Sequence, residues 1–386
     1  MATPLGPDTQ PLPNGGWSEE IRVLPEAIVV PPVAGGFIQP AGILDEAGRY
    51  RPEGALWRKY RALTTEPDPP AAPPERLVGR WLWGGVLWAH FGHFLVESSA
   101  RLWALDHLDT PVDGILFMPK RPRVGTAIRG FQRDFIGLMA PGLPIRVVAT
   151  PTRIETLVVP GQGFGLGLIT AGTEKFRTAI HDNFARGVAA DGSEKLYISR
   201  SALGASKGGL LGEEKLEELL TAEGYTVFHP EKHDIATQVA RYKAARRVVA
   251  ADGSALHLFA MVGRPHQSVA MILRRRSSAN NLLATHVARF TGVEPLVISA
   301  LRTEWVRKGS GKSNRLSFGE LDHARIGVAL ADGGFVARGA DWPVLSDAER
   351  QVAFAQKKLD QRGNFIESPT HVRRRLRAAR RAKRAG

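Results

Sequence analysis

Three short stretches of this sequence carry residues able to do chemistry together. In Trp88–Trp103 (WAHFGHFLVESSARLW), His93, Glu97 and Arg101 recur at intervals of four, so a helix would set them on one face. A carboxylate beside an imidazole orients it and favours its protonated form, and imidazole titrates near neutral pH. Either His93 or Glu97 can therefore act as general base for a hydroxyl, and a structural ion ladder gives the same spacing. His90 and His93 are three apart and belong to no recognisable ligand pattern, so no metal site is expected.

The second stretch, Arg247–Phe259 (RVVAADGSALHLF), reads as a strand, a tight Asp252-Gly253-Ser254 turn and a helix opened by small residues. Backbone N–H groups at such a helix start, with the dipole behind them, suit phosphate. An ordinary helix capped by Asp252 or Ser254 gives the same pattern. The third stretch, Lys195–Arg200 (KLYISR), reads as a strand ending in Ser199 and Arg200, which brings the guanidinium out at the same sheet edge as the 252–255 turn. Its planar fork can grip two oxygens of a diphosphate, with Lys207 in a Gly-rich loop adding a second charge; a surface pairing with Glu213 or Glu214 is the plainer alternative. Two tempting motifs fail. Gly311-Lys312-Ser313 lacks the P-loop glycine, since Val306 stands there, and Gly161–Gly167 lacks the dinucleotide spacing.

These stretches need elements to hold them. The first half reads as an apolar run from Trp81 passing into a helical pattern to Asp106, then strands at Gly114–Pro119, Ile145–Ala149 and Thr156–Val159, with helices at 126–139 and 176–186. The second half alternates more cleanly. Strands are expected at 195–199, 225–228, 247–250, 268–273 and 294–299, with a loop at 200–211 and helices at 212–222, 234–244, 254–262 and 280–290. A last helix is expected at Ser346–Arg362. Short runs bounded by turns imply a parallel, doubly wound sheet covered on both faces. The expected divisions are a flexible lead over 1–20, an N-terminal Rossmann-like domain over 21–187, a C-terminal one over 188–330, a helical extension over 331–370 and a basic tail over 371–386. Pro67–Pro74 (PDPPAAPP) is read as a connector and Gly187–Ser193 as a hinge.

Composition bounds the rest. The chain has 386 residues, 43% hydrophobic and 23% charged, enough for two cores. With no cysteine there is no disulfide scaffold, thiolate zinc site, iron–sulfur cluster or cysteine nucleophile, and a reducing compartment is expected. No signal-peptide pattern or membrane-length apolar run is visible, which reads as cytoplasmic. Of the net charge of +14, eight basic residues fall in the tail, leaving the remainder at +6. The tail has almost no large apolar face, so it suits peripheral electrostatic contact with an anionic membrane surface, a solvated end or another anion.

The three stretches together resemble glycosyltransferase family 61. Gly92-His93-Phe94 with Glu97 and Arg101-Leu102-Trp103 is similar to the family's N-terminal block. Leu196–Arg200 followed by Glu213 and Leu219 resembles its middle block, and Gln238 ahead of Val248-Val249 and Gly253-Ser254-Ala255-Leu256 resembles its last. The resemblance covers about residues 80–275. It departs at Asp252, where many relatives have His, and at Gly212, where they often have Asn. An acid beside a diphosphate would repel it, so Asp252 is expected to accept hydrogen bonds from sugar or ribose hydroxyls or to cap the helix.

The resemblance implies an α/β, GT-B-like fold, with two Rossmann-like domains facing a cleft, and an inverting, metal-independent transferase. The donor would be a nucleotide sugar, expected to be a UDP-sugar, used as substrate with no cofactor. His93 or Glu97 would be the base, and Arg200, Lys207, Glu213, Gln238, Asp252, Gly253, Ser254 and Ala255 would hold the donor. A glycan or lipid-linked acceptor in bacterial surface or capsular polysaccharide assembly is the implied context, with the enzyme in the cytoplasm or peripheral at the inner face of its membrane. The alternative from another class is a non-catalytic basic protein binding nucleic acid or anionic polymer; nucleic acid is not the expected partner.

Overall fold

The computed structural model describes residues 10–167, 169–338, 341–359 and 364–385. Residues 1–9 of the expected lead, 360–362 of the expected last helix and Gly386 of the tail lie outside the described residues, as do the side chains at 378, 379 and 381–385. The rest of the expected flexible lead is structured. Pro11–Leu12 pairs with Gly15–Gly16, and a helical turn at Trp17–Glu19 follows.

The first half builds a six-stranded mixed sheet. Its strands are β1 (Ile21–Val30), β2 (Gly42–Leu44), β3 (Glu75–Leu87), β4 (Gly114–Pro119), β5 (Ile145–Val147) and β6 (Thr152–Pro160), in the order β5-β4-β3-β6-β1-β2. The first four in that order are parallel; β1 and β2 join antiparallel at the far side. Helices α1 (Gly130–Met139) and α2 (Glu174–Asn183) belong to this half.

The second half adds β7 (Lys195–Ile198), β8 (Gly209–Leu211), β9 (Thr226–Phe228), β10 (Arg247–Ala251), β11 (Ser268–Ile272) and β12 (Leu296–Ile298). Apart from β8, these form one wholly parallel sheet, β9-β7-β10-β11-β12. The chain moves one way from β7 to β9 and the other way from β10 to β12. The order therefore reverses between β7 and β10, and such a switch point opens a crevice at the carboxyl ends of the two strands. The crossover helices are α3 (Glu213–Ala222), α4 (Ile235–Ala244), α5 (Ala255–Val262) and α6 (Ala279–Thr291).

A third sheet gathers strands from the second half and one strand, Phe365–Glu367, from the expected helical extension. β13 (Leu301–Arg307), β14 (Phe318–Leu321) and β15 (Phe365–Glu367) join β8 in the order β8-β14-β13-β15. Thus the end of the expected 200–211 loop is a strand. Helices α7 (His323–Asp332), α8 (Asp347–Gln356) and α9 (Pro369–Ala385) follow. Among the described residues no helix is long and apolar enough to cross a membrane.

One hydrophobic core runs through both halves, combining Phe94, Phe117, Phe135 and Phe176 with Tyr242, Leu256, Phe259 and Phe290. The expected hinge is tied to α4. Lys243 Nζ donates to Ala185 O (2.7 Å) and Val188 O (2.9 Å), and Arg241 Nη1 donates to Asp191 O (2.7 Å).

Candidate active site

The segment after β3 departs from a regular helix. It makes a helical turn at Phe91–His93, a wider π-type turn at Phe94–Ser98 and a 3₁₀ stretch at Leu102–His107. Ser98 fixes the widening, donating Oγ to Val86 O (2.7 Å) and accepting from Trp88 N (3.0 Å). One-turn π segments of this kind recur at functional sites. His93 and Glu97 stay paired, with Nδ1 3.2 Å from Oε2. Arg101 leaves their face: it is buried, and its guanidinium donates to the carbonyls of Glu53 (3.0 Å), Ala55 (2.7 Å) and Pro160. Loss of solvent lowers its pKa to about 9, and the carbonyls take the place of water. The expected three-residue face is therefore a pair, and Arg101 is a structural brace.

The third member is Arg58, from the hairpin formed by Trp57–Arg58 and Arg61–Ala62. Its Nε donates to Glu97 Oε1 at 2.8 Å, its Nη2 bonds the same oxygen, and Nη2 lies 3.3 Å from His93 Nδ1. The two neighbours of Nδ1 ask for opposite tautomers, because Glu97 accepts a proton there and Arg58 offers one. Glu97 Oε2 is buried without a hydrogen bond, whereas Arg58 is already bonded through Oε1. Satisfying the orphaned carboxylate oxygen therefore favours Nδ1–H, which leaves the Nε2 lone pair free. The Glu97 side chain is fully buried and that of His93 is 29% exposed, so only the imidazole can meet a substrate. Trp88 stacks on it at 4.6 Å. Lys120, at the end of β4, is buried nearby with Nζ 5.5 Å from the Trp88 ring, and burial lowers its pKa to about 8.

Across the seam lie the ends of β7 and β10. Gly253 packs under Arg200, since a Cβ there would stand 2.7 Å from Nη1. A Cβ on Gly92 would stand 2.6 Å from Ser254 Oγ, so the His93 turn rests directly on the start of α5. Arg200, Gly253, Ser254, Gly92 and His93 are thus contiguous. No side chain caps α5, so the alternative in which Asp252 or Ser254 caps it does not form, and the first-turn N–H groups at Ser254 and Ala255 are left to other acceptors. Asp252 instead pairs with Arg274, whose Nε lies 2.6 Å from Oδ1 and whose N–H reaches Oδ2 at 3.4 Å. Burial raises the Asp252 pKa and Arg274 opposes that rise.

Arg200 Nε has no partner, and burial, with Arg274 adding repulsion, lowers the Arg200 pKa to about 10. Lys207, in the helical turn Ala205–Lys207, and Arg315 lie within electrostatic reach of His90. At the lip, His90 is held down to about 4 by the packing around it and then by His93, Arg315, Lys207 and Arg200. Two candidates stand behind the site. Glu213 is buried, and its Oε1 accepts from Arg200 N (2.7 Å) and Tyr197 OH (3.1 Å), so it fixes the loop that carries the arginine. Burial raises its pKa to about 7. Gln238 braces the loop after β9, donating Nε2 to Pro230 O (2.9 Å) and His233 O (3.0 Å).

Sequence reasoning missed Arg58, Lys120, Arg274, Arg315 and His257. His257, half-buried in the first turns of α5, lies within electrostatic reach of His93 and His90, and its Nδ1 is 2.6 Å from Nδ1 of the buried His286. Burial lowers the pKa of both; His257 falls to about 3, so the two share one proton between neutral rings. Among the described residues no group of three or more His, Asp or Glu is placed to hold a metal ion.

Residues 91–269 match the family model of glycosyltransferase 61. The match spans His93 and Glu97, Arg200 and the 252–255 turn, and it supports a glycosyltransferase. No curated protein matches the chain.

Proposed function

We propose, from that family match, that the chain is an inverting glycosyltransferase taking a sugar from a nucleotide-sugar donor, a UDP-sugar by expectation. The observation that carries the reading is the contiguity of His93, Gly92, Ser254, Gly253 and Arg200. A base for an acceptor hydroxyl and a cationic seat for a diphosphate meet at one seam. The diphosphate lies against Arg200, Lys207 and the N–H groups of residues 253–255, at the switch point of a parallel sheet. Arg274 pairs with Asp252 behind it, so the carboxylate there is held by a guanidinium.

His93 Nε2 takes the proton of the acceptor hydroxyl as its oxygen attacks the anomeric carbon from the side opposite the diphosphate. The bond from that carbon to the phosphate oxygen breaks, and the nucleoside diphosphate leaves with the electron pair onto the cationic seat. Glu97 stabilises the imidazolium formed at His93, and Arg58 holds the Glu97 carboxylate in place. GT-B architecture, with two Rossmann-like domains facing a cleft, belongs to this reading, as do a glycan or lipid-linked acceptor and work on bacterial surface polysaccharide at the inner face of the cytoplasmic membrane.

A thermal-shift panel of UDP, GDP, CDP and their common sugars, run on wild type and Arg200→Ala, tests the donor seat. A ligand at ~100 times Kd adds about 2.7 kcal/mol of stability. The expected result is stabilisation by one nucleotide class, lost in Arg200→Ala. No stabilisation of wild type by any of them would overturn the nucleotide-sugar reading.

A further inference from the structure

The segment that leaves β1 contains six consecutive residues without a polar side chain, Val33-Ala-Gly-Gly-Phe-Ile38. All but Gly36 are exposed, Val33 at 91%, Phe37 at 50% and Ile38 at 39%. A run of three or four exposed apolar residues is a liability in water unless something uses it. This run is held in place from beneath. Lys120 Nζ donates to Phe37 O (2.8 Å), Arg121 Nη1 to Gly36 O (3.2 Å), and the buried Gln39 donates Nε2 to Lys120 O (3.0 Å).

The surroundings are cationic. Arg121, half-buried, and the exposed Arg123 stand in the turn after β4, above the buried Lys120, and the Arg58 guanidinium, paired with Glu97, lies 5.5 Å from the Phe37 ring. Neither residues 27–44 nor residues 114–133 contain an Asp or Glu. An apolar tip beside the solvent-reaching Arg121 and Arg123 matches an interface of acyl chains below anionic headgroups.

We propose that Val33–Ile38 is a membrane-docking loop whose occupant is the surface of an anionic lipid bilayer. Phe37 touches Arg58, and Arg58 grips Glu97 beside His93. Docking therefore brings the headgroup layer next to the base, and the acceptor hydroxyl is carried by a lipid-anchored molecule. That consequence for the acceptor rests on the transferase reading; the docking does not. It is also separate from α9, whose charge can draw the protein to the same surface without inserting it.

The chain has no cysteine, so Val33→Cys gives the full-length protein a single thiol for an environment-sensitive dye. Vesicles of phosphatidylcholine mixed with phosphatidylglycerol should shift the dye emission to the blue and make it quenchable by lipid-borne quenchers. Vesicles of phosphatidylcholine alone should do so weakly. The same dye on Val328→Cys, exposed on α7, should not respond. Adding Phe37→Ser and Ile38→Ser should weaken the vesicle affinity of the Val33 probe about tenfold or more, the loss expected when large apolar side chains no longer insert. An unshifted Val33 probe overturns the proposal, whether the protein stays free or co-sediments with the vesicles through α9. Neither outcome bears on nucleotide binding, which is read separately.

Discussion

Glu213→Gln isolates the support behind the Arg200 loop without needing a substrate. The wild-type carboxyl is buried, and its pKa is raised from 4.5 to about 7. Between those values the folded protein holds a proton that the unfolded chain has released. The contribution to stability is thus fully present below pH 4.5, is withdrawn as pH rises, and is gone above about 7. Carried from pH 5 to pH 8, that withdrawal is roughly 2–3 kcal/mol for one group. The glutamine keeps an oxygen for Arg200 N and Tyr197 OH and has nothing to titrate. Its amide nitrogen meets the place where Oε2 has no partner, a fixed cost of about 1–3 kcal/mol that does not vary with pH. Urea unfolding of both proteins at the two pH values separates these effects. The difference between wild type and variant should move in the variant's favour by roughly 2–3 kcal/mol on going to pH 8. Parallel pH dependences would refute the reasoning, because Glu213 would then be ionised in the folded protein at both values.

Two further outcomes follow from the seam. Glu97→Gln should lower kcat by about 10²–10⁴ with KM for the donor nearly unchanged, since Glu97 acts through His93, setting its tautomer and steadying the imidazolium; steady-state kinetics with an identified substrate pair check it. Gly92→Ala drives a Cβ to 2.6 Å from Ser254 Oγ and should push the His93 turn off the start of α5, cutting turnover while nucleotide stabilisation in a thermal shift persists.

The parallel sheet of the second half was legible because its strands are short, β-branched and buried, each closed by a turn: Arg247–Ala251 before Asp252-Gly253, and Ser268–Ile272 before the Arg274–Arg276 run. By the rule that ligands gather at the carboxyl ends of such strands, that arginine run was within reach of the sequence, and Arg274 is the residue it would have supplied. β1 hid behind Pro25 and Glu26, which break its alternation, and β13 behind the polar run Leu301–Arg307, whose pattern suits a sheet packed elsewhere than in the main core. Arg101 misled through spacing alone. Four-residue intervals hold a face only while the helix is regular, and Ser98 widens this one by bonding back to Val86.

Arg58 left no local signal at all. It lies 39 residues before Glu97 and reaches it from a separate two-strand hairpin. What ties the separated stretches into one site is equally nonlocal but does have a sequence trace. Gly92 touches Ser254, and Gly253 touches Arg200, in both places because no Cβ intervenes. Neither glycine has the positive φ that would mark a turn, so conformational freedom does not explain them. Close approach does. A glycine inside a helical pattern beside a histidine, and another at the mouth of a parallel strand, each read as unremarkable alone; together they mark where the two halves of the site meet.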